Sequence, residues 1–180
     1  MKIDVVVGDV LRTPADVLAS TANTWLNLSG GVNGAVREAT GSVVQGELHE
    51  HLRCRGLSAV PAGTVVRSGA GGLPFEHILH AVAIDPFYDS SIELVGRTVA
   101  EVWTRAEQLG AKSVAMPTLA TGYGPLSIGD FAAAARPLLQ EDNDQRDRRR
   151  WNLSVTVVVR NEDERDRLRG GWSVDRRDWS

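Results

Sequence analysis

Three short stretches of the chain hold residues whose type and spacing could do chemistry. Ser29-Gly30-Gly31-Val32-Asn33-Gly34 leads into a helical pattern, and Thr118-Leu119-Ala120-Thr121-Gly122-Tyr123-Gly124-Pro125 does the same further on. Glycine at such a turn leaves main-chain N–H groups uncovered, and the helix behind it adds the positive end of its dipole, which together favour a phosphate or diphosphate. Structural turns also collect glycines, so either loop alone admits a purely architectural reading. The third stretch is split: Asp9 and Asn23 each stand where an apolar run gives out, Val5-Val6-Val7 for the first and Val17-Leu18-Ala19 for the second. Asp9 in that position is either a hydrogen-bond acceptor for a ligand or a turn cap, and Asn23 either bonds a ligand or closes an Asx-turn. Tyr123 either lies against a ligand or packs, and the same two readings apply to Trp25.

These positions need elements that bring them together, and the periodicity supplies such elements. Residues 2–7 read as a strand, as do 17–22, the extended segment 63–68, the apolar run 78–84, 113–116 ending at Pro117, and 153–159. Helical patterns follow the first glycine loop up to Gly41, then cover 43–53, 93–109 with Gly110 as its stop, about 129–139, and about 161–169. Strands alternating with helices predict an α/β domain with a largely parallel or mixed sheet between helical layers. Ligands in such sheets bind beyond the carboxyl ends of the strands, where Asp9, Asn23 and both glycine loops fall. Glu141 to Arg150 reads as a solvated linker. Residues 1–170 are expected to form the single domain and 171–180 a tail.

Composition bounds the possibilities. A chain of 180 residues, 42% hydrophobic, suffices for one core. There is no apolar run long enough to cross a bilayer and no signal-like start, so a cytoplasmic protein without membrane attachment is expected. Cys54 is the only cysteine, which excludes an intrachain disulfide and a thiolate-rich zinc cluster. His49 and His51 lie two apart on a predicted helix and point to different faces, so no metal site is expected. The formal charge of −3 gives no bulk attraction for nucleic acid, despite the late run Arg148-Arg149-Arg150. Lys2 and Lys112 are the only lysines, and both fall near strand beginnings, away from the ligand-binding edge. His80, inside an apolar run, reads as a hydrogen-bonded core histidine rather than a base.

Taken in order, Gly8-Asp9-Val10, Ser20-Thr21-Ala22-Asn23, Gly30-Gly31-Val32-Asn33-Gly34-Ala35-Val36, His80-Ala81-Val82 and Pro117 to Gly124 resemble the macrodomain family, over about residues 3 to 159. The resemblance implies a three-layer αβα sandwich that binds ADP-ribose, and, in many bacterial members, removal of ADP-ribose from modified macromolecules or metabolites. It implies that Asp9 accepts a hydrogen bond from the adenine amino group beside the Val10 backbone, and that Asn23 meets the distal ribose. Gly30, Gly31 and Val32 match the first phosphate-facing loop; Ala120, Thr121, Gly122 and Tyr123 match the second, with the aromatic ring against the distal ribose. No separate cofactor is implied.

On catalysis the resemblance departs from the common pattern. The common hydrolase group has an aspartate where this chain has Asn33, and an amide orients water but is no practical base. A second group uses a lysine nucleophile, which neither lysine here is placed to be. Some members hold a catalytic zinc through Cys and His, an arrangement Cys54 alone does not reproduce. What remains is water oriented by Asn23, Asn33 and the ligand's own phosphate, with a reader that binds without turnover as the alternative. Asn33-Gly34 is also a sequence prone to deamination.

Overall fold

The computed structural model describes residues 1–143 and 152–172. Its six strands are β1 (Lys2–Val7), β2 (Val17–Thr21), β3 (Val65–Gly69), β4 (His77–Ala81), β5 (Ser113–Pro117) and β6 (Ser154–Val159). They form one sheet in the order β1-β6-β5-β2-β4-β3, parallel throughout except for β3, which runs antiparallel to β4 at one edge. Among the described residues the helices are α1 (Gly31–Thr40), α2 (Val43–Arg53), α3 (Ile92–Gln108), α4 (Ile128–Asn143) and α5 (Glu162–Trp172), with a 3-10 turn at Val10–Arg12. The expected three-layer αβα sandwich with a mixed, largely parallel sheet is the architecture observed.

Strand residues alternate between two cores, because side chains on a pleated strand point to opposite faces. Val17, Ala19, Val65 and Leu79 join the core under α3, α4 and α5. Leu18, Val66 and Ile78 join the other, under α1 and α2. With both faces covered, β2 has no polar face to show, which is why it reads as a continuous apolar run. In α3, Val95, Val99, Val102 and Ala106 recur at helical spacing on the buried side, and Ser91 caps its start by accepting from the Leu94 N–H at 3.1 Å.

Three boundaries differ from the sequence expectation. β4 ends at Ala81 rather than 84, because its ladder with β2 stops at Thr21↔Ala81; residues 82–84 continue as loop toward the site. α4 continues to Asn143, so the supposed linker begins as helix, while the rest of it lies outside the described residues. α5 runs to Trp172, past the helix end expected at about Arg169. Its last turn is anchored there, since Trp172 Nε1 donates to Ala132 O at 3.0 Å and Arg136 donates to Gly171 O. Residues 173–180 lie outside the described residues.

Candidate functional site

Asp9, Val10, Asn23, Gly30, Gly31, Val32, Asn33, Ala120, Thr121, Gly122 and Tyr123 all line one cavity of about 670 Å³ at the carboxyl edge of the sheet. It extends from the ends of β1 and β6, past β5 and β2, to the end of β4. Four interstrand steps give it a length of roughly 19 Å, that of an extended dinucleotide rather than of a mononucleotide.

The first loop is built to leave its donors uncovered. The residue capping α1 is Gly30, at φ +63°, which has no side chain to satisfy the helix's first N–H groups. Those of Gly31, Val32 and Asn33 have no acceptor among the described residues, and all three residues line the cavity with the dipole of α1 behind them. In α3, by contrast, Ser91 fills that role.

The second loop is folded tightly by its own residues. Ala120 has φ +58°, the Oγ1 atoms of Thr118 and Thr121 are 2.7 Å apart, and Leu126 N donates to Ala120 O at 3.2 Å. A Cβ at Gly124 would come within 2.5 Å of Ala120 O, so only glycine fits there. The N–H groups of Gly122 and Tyr123 donate to no acceptor among the described residues. Tyr123, 74% exposed, lays its ring on the first loop: a Cβ at Gly30 would lie 2.6 Å from its hydroxyl and 2.8 Å from Cε2. The two turns thus meet, with unpaired main-chain donors on both.

At the β1 end, Asp9 takes the capping role, one of the two readings open from sequence. Its Oδ1 caps the 3-10 turn, accepting from Leu11 N at 2.9 Å, and the residue still lines the cavity. Asn23 is buried, and its amide closes the following turn in both directions: Nδ2 donates to Asn27 O at 3.0 Å and Oδ1 accepts from Asn27 N at 3.1 Å. Asn33, the third residue of α1 and also buried, accepts from Ser20 Oγ at 2.9 Å through Oδ1. Its Nδ2 donates to no acceptor among the described residues, and the residue lines the cavity. Gly34 N is held by Gly30 O at 2.8 Å inside α1, which restrains the nitrogen that would attack Asn33 in deamination.

His80 faces the core from β4, its Nε2 2.9 Å from Ser68 Oγ, and burial pushes its pKa down to about 4. It is neutral and structural. Lys2 begins β1, Lys112 precedes β5, and neither lines the cavity.

The sequence reading missed Arg160 and Glu164, which line the cavity at the ends of β1 and β6, and Tyr88, which lines it at the end of β4. Arg160 follows the last residue of β6 just as Gly8 and Asp9 follow β1, so the strand-end rule, carried one strand further, would have found it. Glu164, one helical turn on, is mostly buried. It accepts from Arg160 N at 2.9 Å and Arg160 Nε at 2.8 Å, and the guanidinium holds its carboxyl below the usual range. Among the described residues, no helix is long and apolar enough to cross a membrane.

Comparisons with known proteins agree with this geometry. The family model described as Macro domain matches residues 19–135. A Streptomyces nogalater protein described as "Macro domain-containing protein in sno 5'region" is 33% identical over 136 residues, 74% of either chain. A Thermotoga maritima protein is 34% identical over 151 residues, of which this chain spans only 24% of the length. Among solved structures, the Oceanobacillus iheyensis macrodomain with ADP superposes with a TM-score of 0.79 at 24% identity, covering 93% of this chain and 87% of that one. The Trypanosoma brucei macrodomain in complex with ADP-ribose gives 0.72 at 20% identity, covering 93% and 68%. By the match of its first glycine loop, its second loop and most of the sheet between them, this chain belongs to the Macro domain family.

Proposed function

We propose that the chain binds ADP-ribose, free or on a modified macromolecule, and releases it from mono-ADP-ribosyl adducts such as esters of acidic residues. The observation that carries the binding reading is the meeting of two turns with unpaired main-chain N–H groups over the middle of a cavity of dinucleotide length. In this reading the diphosphate lies across both turns. Adenine lies toward Asp9 and Val10, and the distal ribose toward Asn23 and Tyr123. The known ligands of the structural neighbours support it, since those proteins were solved with ADP and ADP-ribose.

For hydrolysis, the chain's own groups near the distal ribose are amides. Asn23 and Asn33 each spend their oxygen on a protein donor and keep N–H groups for the ligand or for a water. Neither removes a proton, so the ligand's phosphate is the base available, a substrate-assisted route suited to a labile ester. The second reading, a reader without turnover, is favoured by the same observation: both amide oxygens are already committed.

Calorimetry with ADP-ribose, AMP and NAD tests binding; selective uptake of ADP-ribose is expected, and equal or absent binding removes the proposal. Release of ADP-ribose from a mono-ADP-ribosylated protein, compared with a Gly31→Glu control, tests turnover. Gly31 has φ +52°, so circular dichroism must first show that the control is folded. Identical release curves leave the reader.

A further inference from the structure

The far end of the cavity opens onto aromatic side chains that the diphosphate cradle does not use. Trp25, two residues past Asn23, has its ring centroid 6.4 Å from that of Tyr88, with the planes at 42°. Trp25 is 38% exposed and Phe87 88%; of the three rings only that of Tyr88 belongs to a residue lining the cavity. Trp25 and Tyr88 expose their rings side by side, which gains nothing for folding, and Phe87, next to Tyr88 in the same turn, is exposed as well; such surfaces mark contact sites.

The turn that displays two of them is held firmly. Asp85 Oδ1 accepts from Phe87 N at 2.7 Å and from Asp89 N at 2.9 Å, Asp85 N donates to Asp89 O at 2.8 Å, and Tyr88 N donates to Asp85 O at 3.0 Å. Tyr88 sits at φ +64°, a backbone conformation unfavourable for a bulky residue.

The charge around this rim narrows what it can receive. The loops bordering it, residues 23–29, 85–91 and 117–124, carry two carboxylates, Asp85 and Asp89, and no basic side chain. Arg53, which shares a shallow hollow with Trp25, is paired with Glu50 through Nε at 2.7 Å and Nη2 at 2.6 Å. An acidic peptide or a phosphate chain meets like charge here, whereas a planar cation meets ring faces and carboxylates.

We propose that the rim receives a planar cation bonded through nitrogen to the distal ribose: the guanidinium of an ADP-ribosylated arginine, or a pyridinium. This rests on the ADP-ribose reading above and concerns recognition, not bond cleavage.

The test is calorimetry on the full chain with four ligands: ADP-ribose, an arginine-ADP-ribosylated peptide, the same peptide ADP-ribosylated on serine, and NAD. The expected result is arginine-adduct binding about 2- to 5-fold tighter than the serine adduct, the range of an exposed cation–π contact. Trp25→Leu combined with Phe87→Ala should abolish that preference, and Asp89→Lys should weaken it. All should leave ADP-ribose affinity within about twofold, since none of these side chains lines the cavity. Tighter binding of NAD than of ADP-ribose, without an arginine preference, assigns the cation to a pyridinium instead. Equal affinity for all four ligands, or a preference that survives loss of both rings, overturns the proposal. Failure to bind ADP-ribose at all sinks the underlying reading instead.

Discussion

Gly30→Ala separates the two things the first loop does, which are to terminate a helix and to leave room above it. At φ +63° and ψ 161° the backbone lies in a region that essentially only glycine occupies, and an alanine held there costs about 1–3 kcal/mol. Its Cβ would also sit 2.6 Å from the Tyr123 hydroxyl and 2.8 Å from Cε2 and Cζ, so the ring must move. That ring is 74% exposed and the clashing atoms are its far end, so it rotates away at little further cost. The stability loss should therefore stay near the backbone figure, about 1–3 kcal/mol, or roughly 2–12 °C in Tm for a domain of this size. Affinity for ADP-ribose should fall much further in proportion, at least about tenfold, because the methyl enters the cradle and the ring leaves it. Calorimetry and thermal melts on Gly30→Ala, Tyr123→Ala and the double variant form a cycle, with a coupling of at least about 0.5 kcal/mol expected for the contact. If Gly30→Ala loses the stability yet binds ADP-ribose within twofold of the parent, the main-chain donors of this turn do not face the ligand. A stability loss above about 4 kcal/mol would show instead that Tyr123 is fixed in place.

Asn33→Asp keeps the bond from Ser20 Oγ through one carboxylate oxygen and places the other toward the cavity at the start of α1, where the dipole favours the charge. Release of ADP-ribose should rise by about 100-fold or more if a missing base limits it, and an unchanged rate in a single-turnover assay would mean that it does not. Asn33 itself should resist deamination, because Gly34 N is bonded within α1; intact mass after prolonged incubation should show no conversion, and rapid conversion would mean that this turn of helix frays. His80 lowers stability in mild acid: its pKa of about 4 in the folded chain lies below the unfolded value of about 6.5, so the unfolded state takes up the proton first. Stability should fall as pH drops from about 6.5 toward 4, and denaturant titrations of His80→Gln should show a shallower slope in that window; parallel slopes would remove His80 as the cause.

The elements were legible because their causes are local. Ser42 and Cys54 bracket α2 at the residues where its pattern starts and stops, and the buried strands announce themselves by unbroken apolar runs, since both faces of the sheet are covered. Boundaries failed where a partner decides them. Nothing within residues 78–84 says that the strand stops at Ala81; the end of β2 at Thr21 does. Similarly, Trp172 belongs to α5 because Ala132 O, forty residues earlier, accepts its indole N–H.

The site divides along the same line, and Asn23 shows why. Sequence left two roles for it, and the structure uses its amide oxygen and one amide hydrogen to shape the loop that Asn27 completes. A residue type names the bonds a side chain is able to make, and only the neighbours brought to it by the fold decide how many of those bonds are left for a ligand. Main-chain donors escape this ambiguity. A glycine cap on a helix leaves N–H groups unpaired whatever its neighbours are, which is why the first glycine turn could be read from the sequence as a source of free donors. The spare capacity of Asn23, Asn33 and Asp9 could not be read that way. For the same reason, Gly30→Ala and Gly31→Glu test binding more directly than any change to those three side chains, each of which would disturb a turn, a helix or a cap along with the ligand.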